Sequence, residues 1–202
     1  MKQHTKKSVW LGLLLAALAV MLVLVPVKAD AAIYDKVIRL HVLANSDSAD
    51  DQALKLTVRD ALLGEAAALT EGCRSRAEAE ERLASHIELL RERAESALRA
   101  RGCDDPVTVT VGKESYPTRE YEAVRLPAGE YTSLRVMIGE AEGQNWWCVL
   151  FPPLCVGQAA AVEETMIDVG FTPGQVGVLT DSESPGYVLR FKLLEILGSL
   201  FS

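Results

Sequence analysis

Histidine is scarce in this chain of 202 residues: there are three, and His4 falls in the basic N-terminal start, leaving His41 and His86 as possible bases. Glycine-rich phosphate loops and the Gly-x-Ser-x-Gly elbow are missing, which removes common nucleotide-binding and serine-hydrolase signatures. Four cysteines are too few for a disulfide-dense scaffold. Internal repeats and low-complexity tracts are also absent. Basic charge is in deficit as well. Lys and Arg number 21 against 28 Asp and Glu, and four of the lysines lie in residues 1–29, a stretch with no acid. Residues 30–202 therefore carry 17 basic against 28 acidic residues, a net of −11. Phosphate binding needs clustered positive charge, so nucleic acid is not expected as a partner. An acidic domain of this kind suits life outside a membrane, or docking on a partner with basic patches.

What is present is enough apolar material for one core: 49% of residues are hydrophobic, in a length that suits one domain. The N-terminus stands apart. Lys2, Lys6 and Lys7 precede an apolar run from Val9 to Val25, followed by Pro26 and the small-residue pattern Val27-Lys28-Ala29. That order predicts a signal peptide over residues 1–29, cleaved after Ala29 or Ala31. An uncleaved membrane anchor is the competing reading, since the run is only just short of the roughly 20 residues a spanning helix needs. Residues 30–202 are expected to form a single extracytoplasmic domain, touching a membrane only through an uncleaved leader.

Along that domain, Val37–Leu43 reads as a strand, with a loop at Ala44–Asp47. Ser48 or Asp47 can cap a following helix whose Leu54, Val58, Ala61 and Leu62 share one face, with Asp51, Lys55 and Arg59 on another. Ser75 and Glu78 form a capping-box pattern before an apolar series that runs to Gly102. A single helix over 75–100 would be roughly 39 Å long, so Cys73 and Cys103 beyond its ends are not expected to pair. His86, between Leu83 and Leu90, is placed on its apolar side.

From Pro106 the period becomes two, and Val107, Val109 and Val111 predict a strand. Tyr121–Leu126 and Tyr131–Ile138 read as a hairpin through Pro127-Ala128-Gly129, and Asn145–Phe151 as the next strand of an antiparallel meander. Residues 157–186 read as loop with a short helix around Ala160–Val169, and Tyr187–Phe201 as a closing amphipathic helix. The expected fold is α+β: a mostly antiparallel sheet packed with two long helices and a C-terminal helix.

The stretch Gln144–Cys155 concentrates two of the three tryptophans and two of the four cysteines. Trp146 and Trp147 mark either core or interface, and strand alternation sends one of them inward. Cys148 and Cys155 could bridge in an exported chain; buried free thiols are the alternative. A nucleophilic Cys148 with His41 as base, oriented by Asn45 or Asp47, would make a thiol-dependent cell-envelope enzyme, although no local cysteine-enzyme signature surrounds Cys148. Asn45, Asp47, Asp50 and Asp51 cluster oxygen ligands, but their spacing departs from a calcium loop, and helix capping explains them without a metal. No cofactor is expected. A wall-binding module would be a third reading.

Two stretches together resemble a known family. Ile38-Arg-Leu-His-Val-Leu-Ala-Asn-Ser-Asp47, continuing through Asp51–Asp60, and Asn145-Trp-Trp-Cys-Val-Leu-Phe-Pro-Pro-Leu-Cys155 are similar to the stage II sporulation protein R family of endospore-forming bacteria, as is the ending Arg190–Glu195. The resemblance implies a signal rather than a catalyst: a protein made in the forespore and exported into the space between the two septal membranes. There it would trigger a membrane-embedded aspartic protease of the mother cell, which removes the pro-sequence of pro-sigma-E. For contacts with that partner, polar and aromatic loop residues are better suited than apolar strand residues, which points to Asn45, Ser46, Asp47, Asn145, Trp146 and Trp147.

Overall fold

A computed structural model describes residues 27–28, 33–121, 124–154, 159–180 and 187–188. The chain divides into two compact units, Asp30–Ser184 and a smaller one formed by residues 1–29 with 185–202. Within its described residues the smaller unit is an antiparallel pair of short strands, β1 (Val27–Lys28) and β8 (Tyr187–Val188). The rest of the predicted leader and of the predicted C-terminal helix lies outside the described residues.

In the larger unit, β2 (Ile38–Leu43) is buried at all six positions. It leads through Ala44–Ser48 into helix α1 (Ala49–Thr70), which Ser48 caps by accepting the Asp51 N–H at 3.1 Å. Helix α2 (Arg76–Ser85) starts at Ser75, whose hydroxyl accepts the Glu78 N–H, while the Glu78 carboxylate reaches back to the Arg74 N–H. The single helix expected over 75–100 is in fact two, because α3 begins at Ile87 and ends at Arg99. At the break, His86 adopts φ −116° and ψ 23°, and the Ser85 hydroxyl and His86 Nδ1 both bond the Arg82 carbonyl. His86 is exposed rather than on the apolar side. Leu83 and Leu90 both stay fully buried, so the bend keeps the two helices on one core.

Strand β3 (Val107–Tyr116) alternates buried and exposed positions over its first half, as its sequence predicts. It is followed by the two-residue strands β4 (Arg119–Glu120) and β5 (Arg125–Leu126), then β6 (Gly129–Ile138) and β7 (Asn145–Phe151). The main sheet has the order β3-β6-β2-β7. β3 pairs antiparallel with β6 from Tyr116↔Gly129 to Val107↔Ile138, β6 runs parallel to β2, and β2 pairs antiparallel with β7. The sheet is therefore mixed, and two expectations change. The residues expected to pair with β6 in a hairpin, Tyr121–Leu126, instead supply β5, which pairs with β4. β7 lies beside β2, not β6, so the chain crosses the end of β2 to reach it. Locally good turn residues at 127–129 do not decide pairing when the long strand β3 offers ten registered partners to β6.

Helices α4 (Ala159–Asp168) and α5 (Pro173–Thr180) follow. The first matches the helix expected near 160–169. The second falls where a loop was expected, and it carries a capping box: Gln175 N–H to Thr172 Oγ1, and Thr172 N–H to Gln175 Oε1.

One face of the main sheet packs under α1, α2 and α3, burying Leu40, Val42, Leu62, Leu83, Leu90, Leu98, Leu134 and Val136. A second cluster gathers Ile33, Tyr116, Tyr131, Val149, Val162, Met166 and Phe171.

Candidate functional site

Strand alternation sorts the motif residues onto two faces. In the β2–β7 register, Leu40 stands opposite Cys148 and Val42 opposite Trp146; His41 stands opposite Trp147 and Leu43 opposite Asn145. Trp146 accordingly joins the helix-covered face, half-buried, with the Arg59 guanidinium 4.9 Å from its ring centre. Trp147 turns to the other face, also half-buried, under Arg119 at 4.1 Å. Each ring is thus flanked by an arginine, one on either side of the sheet.

The polar atoms of Asn45, Ser46 and Asp47 are largely engaged within the chain. The connection from β6 to β7 crosses the end of β2 here, and a clasp holds it. Backbone bonds run from Gly143 N–H to Ala44 O (3.0 Å) and from Glu142 N–H to Asn45 O (3.1 Å). Asn45 Oδ1 accepts the Glu140 N–H at 3.0 Å and Asp47 Oδ1 accepts the Gln144 N–H at 2.7 Å. Asn45 Nδ2 and the Ser46 hydroxyl donate to Asp51 Oδ2 at 3.0 and 2.5 Å, bonds that hold the Asp51 carboxyl below the usual aspartate range. Lys55, expected on a polar helix face, is 4% exposed and closes the clasp from beneath, donating to Gln52 Oε1 at 2.6 Å and to the Gln144 carbonyl at 2.8 Å. Burial draws its pKa down, against the pull of Asp47. The acidic cluster thus has hydrogen-bonding work without a metal, and no metal-capable grouping of three or more His, Cys, Asp or Glu occurs among the described residues.

The opposite sheet face carries a connected polar set in which His41 and Asn145, singled out by sequence, are joined by Glu114, Tyr116 and Ser133, which were not. His41 lies 2.7 Å from Glu114 Oε1 through Nδ1 and 2.7 Å from Asn145 Oδ1 through Nε2. Tyr116 lies within hydrogen-bond reach of Glu114 Oε2 (2.8 Å) and of the Ser133 hydroxyl (2.6 Å). Burial pushes the Glu114 carboxyl up, but its hydrogen bonds with Tyr116 and His41 outweigh it and leave it below the usual glutamate range. Burial raises the Tyr116 phenol far above its usual value. Deeper in, Arg39 is fully buried; its guanidinium carbon lies 3.9, 5.1 and 5.8 Å from the ring centres of Tyr116, Tyr131 and Tyr121. Its Nη2 donates to the Tyr121 hydroxyl at 2.5 Å. Two polar residues, Arg39 and His41, interrupt the apolar run of residues 37–43, but only the sheet register shows that they share a face with Glu114 and Tyr116.

The Cys148–His41 dyad is overturned by this geometry. Their register positions put the two side chains on opposite faces of the sheet, His41 Nε2 is occupied by Asn145, and Cys148 is disulfide-bonded. Cys73 and Cys103 are free thiols, whose pKa values burial raises, and Cys155 lies outside the described residues. A cavity of about 500 Å³ opens elsewhere, lined by Gly72, Cys73, Arg74, Asp168 and Val169, away from both motif stretches.

The model of the family described as stage II sporulation protein R matches residues 34–161, which include β2, the clasp, the polar face and β7. The chain belongs to the stage II sporulation protein R family. A relative named Stage II sporulation protein R, from Bacillus subtilis (strain 168), is 40% identical over 121 residues, covering 60% of this chain and 54% of that protein. The chain thus spans about half the length of the curated relative it matches. No solved structure matches it. The family and the relative are both described by a stage of sporulation.

Proposed function

We propose that the chain is an exported sporulation signal that activates, by binding, a membrane-embedded aspartic protease of the mother cell, leading to removal of the pro-sequence of pro-sigma-E. It acts in the space between the two septal membranes, after export from the forespore by its N-terminal leader, and it works as a ligand rather than as an enzyme. The observation that carries this reading is the meeting of the two family-like stretches. They form adjacent strands, so Asn45–Asp47 and Asn145–Trp147 lie at one end of the sheet, Leu43 being paired with Asn145. Asn45 and Ser46 shape that end through the clasp, while exposed Asp47 and Asn145 and half-buried Trp146 and Trp147 offer groups to the partner. Separation of Cys148 from His41 favours this reading over thiol catalysis.

The test is reconstitution in a non-sporulating host: the exported chain is co-expressed with the protease and pro-sigma-E, and conversion of pro-sigma-E is followed by immunoblot. Conversion that needs the chain supports the reading. Unchanged pro-sigma-E, with all three proteins present, overturns it.

A further inference from the structure

The inner end of the polar sheet face contains donors with no acceptor among the described residues. Arg39 is fully buried, yet its Nε and Nη1 have no hydrogen-bond partner, and it forms no ion pair among the described residues. The indole Nε1 of Trp147 is buried and unpartnered in the same way. The two belong together: Arg39 and Trp147 lie on one face of the paired strands β2 and β7, and Tyr116 stands against both, its ring 6.1 Å from Trp147 and 3.9 Å from the Arg39 carbon. Leaving a charged donor group buried without a counter-ion is strongly unfavourable. Stacking on tyrosine rings offsets part of that charge but supplies no acceptor in the plane of the guanidinium.

We propose that this inner end is a carboxylate-binding site which receives an acidic side chain of a partner polypeptide, with Arg39 and the Trp147 indole N–H as donors. Every unsatisfied group is a donor, so the complement is an acceptor; one of the donors is cationic, so the acceptor is an anion. A single guanidinium matches the single charge of a carboxylate better than a phosphate dianion, which would bring surplus charge into a buried place. The surroundings agree. Glu114 on this face is already committed to His41 and Tyr116, and Arg135 lies 3.9 Å from it. Arg119, exposed above Trp147, adds positive charge at the rim. In a chain of net charge −7, this face is a local reversal of sign, which selects an acidic segment. The inference is independent of the protease reading, because the site is defined without reference to that partner.

The probe is the peptide acetyl-Gly-Glu-Gly-amide, titrated into the full isotopically labelled chain while the Arg39 Nε–H and Trp147 indole N–H resonances are followed. Acetyl-Gly-Gln-Gly-amide and inorganic phosphate serve as comparison ligands. Saturable displacement of both resonances by the Glu peptide, with none by the Gln peptide, is the expected result. Trp147→Phe keeps an aromatic ring and loses the N–H, and should weaken binding by about tenfold or more, the size of one hydrogen bond to a charged group. The proposal is overturned if neither resonance moves saturably, if the Gln peptide binds equally well, if phosphate binds more tightly than the Glu peptide, or if Trp147→Phe leaves the affinity unchanged in a variant whose spectrum shows it folded.

Discussion

Asp47 Oδ1 accepts the backbone N–H of Gln144 at 2.7 Å, joining positions 97 residues apart where the chain crosses the end of β2. The bond needs an acceptor, not a charge. Asp47→Asn, which keeps an oxygen there and loses only the charge that faces buried Lys55, should cost less than Asn45→Ala, which should cost about 1–3 kcal/mol because it strands the Glu140 N–H and half of the Asp51 network. Denaturant unfolding monitored by tryptophan fluorescence separates the two. Equal losses in both variants would mean that the clasp works through charge instead.

The same crossing leaves no room at Gly143, where an added Cβ would run into the Ser46 carbonyl and the Ala44 side chain. Gly143→Ala should therefore destabilise the fold by about 1–3 kcal/mol. Gly64, in the middle of α1 with nothing near its missing Cβ, provides the contrast. Gly64→Ala should stabilise by about 0.4–1 kcal/mol, since it restricts the unfolded chain at no steric cost. Thermal melts of the two variants should move in opposite directions.

Glu114 links acidity to stability. Its folded-state carboxyl lies below the ordinary glutamate range, so the unfolded chain binds the proton more readily and stability falls as the solution is acidified. The contribution is complete above the ordinary glutamate value, about 4.3, and disappears as the pH drops through the lower folded-state value. Glu114→Gln should reduce stability at pH 7 and flatten the loss that sets in as the pH falls below the ordinary glutamate value. Urea midpoints measured at several pH values check both parts, and an unchanged slope in the variant would assign the acid sensitivity to other carboxylates.

Cys148 distinguishes structure from catalysis. Because its sulfur is committed to a disulfide and points away from His41, Cys148→Ser should lower thermal stability while pro-sigma-E conversion per folded molecule stays unchanged. Conversion assays run with matched amounts of folded protein make the comparison. Loss of conversion at full folding would return the thiol reading.

Local patterns in the sequence foretold local structure well. Ser48 and Ser75 mark real helix starts, the alternation of Val107 and Val109 marks a real strand, and the α+β class follows from them. Less legible were features fixed by distant partners. Apolar spacing carries straight through His86, so the helix break depends on side chains that capture the Arg82 carbonyl, which spacing cannot show. Parallel pairing of β2 with β6 joins segments some ninety positions apart and leaves no local trace. Thr172 and Gln175 did carry a readable capping box, masked by the surrounding glycine and proline. At the candidate site, Trp147 and Asn145 stood out by type, whereas Arg39, Glu114 and Tyr116 acquire meaning only once the sheet register brings them onto one face.

The central place of β2 has a consequence for how the molecule is made. Both of its neighbours, β6 and β7, come late in the chain, at Gly129–Ile138 and Asn145–Phe151. During synthesis from the N-terminus, this fully buried strand emerges early and waits with two open edges until about half of the sequence has followed it. Helices α1 to α3 can form in the interval, but the sheet they cover cannot close. The nascent chain therefore passes through a long stage in which it is unfinished, adhesive and easily cleaved, and the clasp at Asn45 is among the last contacts to form.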